Sequence, residues 1–251
     1  MSERPPEGTR VGVVGGSSAV VDAVRGGGGD PVEGDVTAVV GSDPAAVVAV
    51  GEGALVDLVV VGVEAPVLPV SVDSSVRPVP ESAVEPAVAS VLAGEFDVVD
   101  YPLLAAERAS RTDGPVRALF DLTLVTAEPA RISEYTVSSS GELVAAFRAD
   151  GVVVATAAGS TGYARAAGGP VLAPGSDVVA VVPVAPFATG ADHWVLPADG
   201  IGLVVERDET PVRLVADGRD VGVVEPGHTL ELSTPGTLPV AVVDASVGFF
   251  G

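Results

Sequence analysis

Short valine-rich runs, each closed within a few residues by glycine, proline or aspartate, recur from residue 11 to residue 243. β-Branched side chains in such brief runs favour strands over long helices. The longest runs, at residues 56–63 and 178–184, have charges nearby. They fall well short of the roughly 20 apolar residues that cross a bilayer. Hydrophobic residues make up 47 % of the chain and aromatic residues only 4 %. Valine and alanine therefore supply most of the core, and their amount is enough to build one.

The charge is lopsided. Against 34 Asp and Glu stand 13 basic residues, giving a formal net charge of −21 over 251 residues. Every basic residue is arginine, and lysine, asparagine, glutamine and cysteine are absent. No disulfide framework or cysteine metal site can form. A lysine phosphate loop and a Schiff-base lysine are excluded as well. So negative a surface repels a phosphate polyanion, and no basic patch relieves it, so nucleic acid is not an expected partner. The acidity is spread along the chain without an acidic tail. This pattern fits a salt-rich cytoplasm, where the Debye length falls to about 3 Å at molar salt and self-repulsion is screened. A halophilic, archaeal origin is expected. The N-terminal Ser-Glu-Arg-Pro-Pro-Glu-Gly after Met1 lacks a charged-then-apolar leader pattern. A soluble, cytoplasmic protein with no membrane segment is expected.

The pattern changes along the chain. Residues 11–14 read as a strand, after which Ser17 or Ser18 caps a helix to about residue 24. Residues 36–40 read as a second strand, and Ser42-Asp43-Pro44 as the cap of a short segment running into 47–50. Gly51-Glu52-Gly53 reads as a turn before the apolar run 54–63. Such runs predict a parallel sheet covered on both faces. Residues 64–80 read as loop, and 81–92 as a helix closed by Gly94. Beyond residue 98, strands are expected at 117–125, 132–138, 142–148, 151–155, 178–183, 201–206, 212–216, 220–224 and 229–233. This predicts an all-β, sandwich-like or barrel-like region. The run 239–243 is expected to return as a strand to the core. The expected division is an α/β domain over 1–104, a β-sandwich domain over 105–236, and a returning strand over 237–251.

One segment stands apart. Asp150-Gly151 opens a strand that delivers Thr156-Ala157-Ala158-Gly159-Ser160-Thr161-Gly162-Tyr163 into a turn, and Ala167-Gly168-Gly169-Pro170 follows. Small residues let backbone amides approach a ligand, hydroxyls bond to ribose or phosphate, and Tyr163 offers a stacking face. A glycine-serine turn before a helix is the plain structural alternative. A hydrolase triad built from Ser160 and His193 or His228 lacks the G-x-S-x-G spacing.

This run resembles that of the NAD kinase family, which carries a TPTGSTAY-like stretch after an Asp-Gly strand and then AGGP. Leu92-Ala93-Gly94-Glu95-Phe96-Asp97-Val98-Val99, Gly141-Glu142-Leu143 and Ala216-Asp217-Gly218 also look like family segments. The resemblance implies an α/β N-terminal domain, a β-sandwich C-terminal domain and a homo-oligomer. It implies phosphoryl transfer from ATP or polyphosphate, with Mg²⁺, to the 2′-hydroxyl of the NAD adenosine ribose, giving NADP. By the same resemblance, Asp121, Asp150, Thr156, Gly159, Ser160, Thr161 and Tyr163 contact NAD. Gly51 and Gly53 form the phosphate loop, and Glu52 is the catalytic base. No protein metal ligand is assigned.

The chain departs from the family at the loop and at the ribose clamp. Val50-Gly51-Glu52-Gly53-Ala54 stands where the family has GGDGT, and Phe120-Asp121 stands where it has Asn-Glu. Glu52 keeps a carboxylate with one more methylene. Val50 brings a Cβ that obstructs phosphate and resists positive φ. Phe120 cannot replace an amide. Phosphoryl transfer depends on positioning, so these changes bear on catalysis more than on dinucleotide binding. Two functions are therefore expected side by side. One is a divergent NAD kinase. The other is an impaired homologue that binds NAD(P) or nucleotide and regulates or assembles with an active paralogue.

Overall fold

The computed structural model describes residues 8–72, 75–107, 114–128, 131–188, 192–207 and 210–249. The chain divides into two compact units, one of Met1–Tyr101 with Leu238–Gly251 and one of Pro102–Thr237.

The first unit is built from β1 (Arg10–Val14), α1 (Ser18–Gly26), β2 (Asp30–Glu33), α2 (Val36–Gly41), β3 (Ala46–Val50), α3 (Glu52–Val61), β4 (Val67–Val70) and α4 (Val84–Ala93). Its strands run in the order β2-β1-β3-β4, all parallel, as the alternation of apolar runs and helices predicts. Val11 and Val13 of β1 pack with Val20 and Val24 of α1 and Val88 and Val91 of α4. Between them, Gly12 faces the other way, toward Val39 of α2 and Val47. Both faces of the sheet are thus covered, which explains why its strands read as unbroken apolar runs. Ser17 caps α1 by accepting the Val20 amide at 3.4 Å, and Gly94 closes α4.

Four local expectations change. Residues 36–40 are helical, because Asp35 accepts the Ala38 amide at 3.0 Å and this cap outweighs the strand preference of three valines. Ser42 then ends that helix and caps no new one. Glu52 and Gly53 lie inside α3, so the turn is confined to Gly51. Within the expected loop 64–80, Val67–Val70 forms β4, whose Pro69 sits within a buried strand.

The second unit begins within β5 (Asp97–Glu107) and continues through β6 (Val116–Ala118), β7 (Asp121–Thr126), β8 (Ser133–Ser139), β9 (Glu142–Ala149) and β10 (Gly151–Ala155). A one-turn helix, α5 (Tyr163–Ala166), follows. Next come β11 (Val178–Val184), β12 (Trp194–Pro197), β13 (Ile201–Arg207), β14 (Val212–Ala216), β15 (Arg219–Val224) and β16 (Thr229–Val242). One sheet has the order β12-β11-β10-β7-β14-β15. Facing it, β13 pairs with β8 and with the first part of β16, and β9 flanks β8. Tyr135, Val137, Ile201, Leu203 and Leu230 from one side meet Leu122, Leu124, Val152, Val154 and Val181 from the other in a single core. This is the sandwich that the strand pattern predicts. The expected strand 117–125 is two strands, broken at Leu119-Phe120, and β12 is an addition. The end of β16 belongs to the first unit, where Val240 pairs with Val67 in parallel.

Candidate functional site

The two faces of β10 have different duties. Val152 and Val154 enter the sandwich core, whereas Val153 and Ala155 pack under Ala157, Ala164, Leu172 and Ala180. This second face carries the segment 156–170. Asp121 pairs with Ala155 and Thr123 with Val153, so both of these β7 residues share that face.

Hydrogen bonds fix the turn after β10. The Thr156 amide donates to the Phe120 carbonyl at 2.9 Å. The Thr156 hydroxyl donates to the Leu119 carbonyl at 2.6 Å and accepts the Gly159 amide at 3.2 Å. Ser160 is fully buried. Its hydroxyl donates to the Ala157 carbonyl at 2.8 Å and accepts the Leu172 amide at 3.0 Å. Gly159 passes so near the residue before β7 that a Cβ there would lie 2.0 Å from the Phe120 carbonyl oxygen. Thr156 and Ser160 are thus engaged inside the turn, and Thr161, Gly162 and Tyr163 are left exposed at its crest.

Tyr163 connects the turn to two carboxylates. Partial burial raises its phenol above the ordinary value, and the charges of Asp121 and Asp150 raise it further. Both carboxylates therefore lie within electrostatic reach of the hydroxyl. Asp121 and Asp150 are each half-buried. Thr123 donates to Asp121 Oδ1 at 3.0 Å. The Asp150 backbone is held by its amide on the Val184 carbonyl at 3.0 Å, and its own carbonyl accepts the Thr126 amide at 2.9 Å.

The sequence signal of Asp217 was no more than an Asp-Gly turn, and its role is long-range. Asp217 sits between β14 and β15 at φ 47°. Its carboxylate accepts the amides of Leu119 at 2.7 Å, Phe120 at 2.7 Å and Asp121 at 3.1 Å. Burial raises its carboxyl above the usual range, against the lowering pull of those three amides and of Arg219.

The expected phosphate loop belongs to the first unit. Gly51 has φ 82°, caps α3, and donates its amide to the Val70 carbonyl at 2.9 Å. Glu52 and Gly53 follow in the first turn, both exposed. Val50 does not need positive φ: it ends β3 in register with Val70, and the left-handed step falls on Gly51. An acidic first-turn residue is favourable at a helix N-terminus, where amides also attract anions. Phe120 is buried at 7 % exposure, so its ring fills the interior. Among the described residues, no three His, Asp or Glu side chains group to hold a metal ion, and no helix is long and apolar enough to cross a membrane.

Residues 120–239 match the model of the ATP-NAD kinase C-terminal domain. The chain is 34 % identical over 134 residues to the NAD kinase of Methanospirillum hungatei, covering 53 % of this chain and 49 % of that protein. It is 33 % identical over 153 residues to the NAD kinase of Pseudomonas entomophila, covering 59 % of this chain and 52 % of that one. The alignments thus span about half the length of these curated relatives. Among solved structures, yeast NADH kinase complexed with NADH aligns with a TM-score of 0.78 at 15 % identity, covering 97 % of this chain and 85 % of that one. The NAD kinase of Archaeoglobus fulgidus in complex with ATP aligns with a TM-score of 0.75 at 22 % identity, covering 94 % of each. At those identities the structures establish the fold. Residues 120–239 thus carry the ATP-NAD kinase C-terminal domain, and over that region the chain is similar to the NAD kinases.

Proposed function

We propose that the protein binds NAD through its second unit and transfers the γ-phosphoryl group of ATP to the 2′-hydroxyl of the adenosine ribose, giving NADP. The observation that carries this reading is the grouping of Asp121, Asp150 and Tyr163 beside the exposed Thr161-Gly162 crest, inside the family-matched segment. Carboxylates accept ribose hydroxyls, exposed amides meet phosphate or amide oxygens, and the phenol ring stacks on a base or nicotinamide. Thr156, Gly159 and Ser160 contribute through the turn they build.

Glu52 is the proposed base. The 2′-oxygen bonds to the γ-phosphorus, the bond from that phosphorus to the bridging oxygen breaks, ADP leaves with the electron pair, and the hydroxyl proton passes to the Glu52 carboxylate. Gly51 and Gly53, at the head of α3, are assigned to phosphate through backbone amides. The described residues offer no three-residue cage for Mg²⁺, so we assign the ion to the nucleotide substrate's own phosphates. A homo-oligomer in a saline, archaeal cytoplasm belongs to the same proposal.

A second reading has one specific observation in its favour. Phe120 is buried and has no side-chain amide to offer a ribose. Under this reading the chain binds NAD or NADP without turnover and serves as a regulatory or structural partner of an active paralogue. The test is NADP formation from NAD and ATP with Mg²⁺ in molar KCl, alongside calorimetric NAD and NADP titrations. Turnover supports the kinase. Binding without turnover supports the second reading, and neither turnover nor binding overturns both.

A further inference from the structure

The backbone of Leu119, Phe120 and Asp121 has an unusual anchor. It spans the break at Leu119-Phe120 and the first residue of β7. A single carboxylate, Asp217, accepts all three, from a position 98 residues later in the chain than Leu119. Asp217 itself adopts φ 47° and donates its amide to the Asp121 carbonyl at 3.0 Å. Asp121 is therefore held at both its amide and its carbonyl by one residue.

The carbonyls of Leu119 and Phe120 point to the other half of the site. Leu119 and Phe120 receive the hydroxyl and amide of Thr156, and the Phe120 carbonyl is the surface on which Gly159 rests. With three amides and the Asp121 carbonyl bonded to Asp217, and the Leu119 and Phe120 carbonyls bonded to Thr156, this tripeptide bridges the Asp217 turn and the turn that begins at Thr156.

We propose that Asp217 is a positioning residue for the dinucleotide site, setting through the 119–121 backbone both the Asp121 carboxylate and the Thr156–Tyr163 turn. The proposal deepens the reading of Asp121 as a dinucleotide contact and rests on it. Charged hydrogen bonds are the stronger class, and truncating the acceptor strands buried donors. Removing the Asp217 charge therefore disturbs Asp121 more than any change at the exposed crest would.

The Tyr163 phenol reports the effect without nucleotide. The charges that raise it are those of Asp121 and Asp150. A change at Asp217 that moves those groups or the turn is read in the phenol. The experiment follows the Tyr163 ring carbon through an alkaline titration in wild type, Asp121→Asn, Asp217→Asn and the double variant. The expected result is a downward shift for Asp121→Asn, a downward shift for Asp217→Asn, and a combined shift smaller than the sum of the two. NAD affinity in Asp217→Asn is expected to fall by about tenfold or more, the loss of one charged hydrogen bond. An unmoved phenol in folded Asp217→Asn overturns the proposal, as do shifts that simply add. Should Asp217→Asn fail to fold, Asp217→Glu, which keeps the charge and displaces it by one methylene, is read against the same two outcomes. Because the phenol readout needs no nucleotide, it tests Asp217 even where NAD binding itself fails.

Discussion

The carbonyl oxygen of Phe120 lies 2.0 Å from the point at which a side chain on Gly159 would begin. The residue before β7 and the 156–163 turn are in backbone contact there, and no flexible side chain is available to give way. Gly159→Ala is expected to cost about 2 kcal/mol of stability and to lift the turn from β7. Urea denaturation and NAD calorimetry check this. A variant with unchanged midpoint and affinity would mean that the turn is not held by this contact.

Glu52→Ala is expected to lower the rate of NADP formation by about 10²–10⁴-fold, the usual contribution of a general base. NAD affinity is expected to stay near wild type, because Glu52 lies at the exposed start of α3 in the first unit. Steady-state kinetics with calorimetry separate the two effects. Unchanged turnover removes Glu52 from the mechanism.

Tyr101 gives a pH prediction with a definite sign. It is 2 % exposed, and its hydroxyl donates to the Ser75 carbonyl at 3.1 Å. Burial raises the phenol above its ordinary value, with Arg77 opposing. The folded state therefore holds this proton more tightly than the unfolded chain does. Its contribution is complete below the unfolded phenol pKa of about 10 and is lost as pH rises through the higher folded value. Tyr101→Phe should cost about 1 kcal/mol at pH 7 and make the alkaline limb of stability shallower. Denaturation midpoints from pH 7 to pH 11 are the measurement, and parallel limbs would refute the assignment.

The net charge of −21 predicts a stability that rises with salt. The exposed ion pairs Arg25–Glu33 and Arg131–Glu128 offset little of it, since surface pairs contribute under about 1 kcal/mol. Melting temperature is expected to climb with KCl as screening shortens the Debye length to about 3 Å near 1 M. Full structure by circular dichroism in dilute buffer would sink this expectation.

How far the sequence is legible depends on whether a signal is local. Ser17 before α1 and Gly94 after α4 are short-range caps, and both act as their positions predict. Residues 36–40 mislead because three β-branched valines outweigh one aspartate by propensity, yet Asp35 supplies the hydrogen bond. The run from Thr156 to Tyr163 is visible as chemistry-bearing, but not which hydroxyls turn inward. That depends on the Leu119 carbonyl, 37 residues earlier, and on the Leu172 amide, 12 residues later. Phe120 illustrates the same limit. Sequence marks it as a missing amide, while the structure gives it a buried ring and two backbone duties. Phe120→Asn would therefore remove core packing, at about 3 kcal/mol, as well as add an amide.

Strand β16 serves the second unit at its start, where Leu230 and Leu232 pair with β13, and the first unit at its end, where Val240 lies beside Val67. The first unit is therefore discontinuous in sequence. On the ribosome, its parallel sheet waits for its last strand until the entire second unit has been made, so the order of synthesis and the order of completion are reversed. A single proteolytic cut in β16 would release no intact N-terminal unit, and the 1–101 fragment expressed alone would leave the outer edge of β4 without its partner.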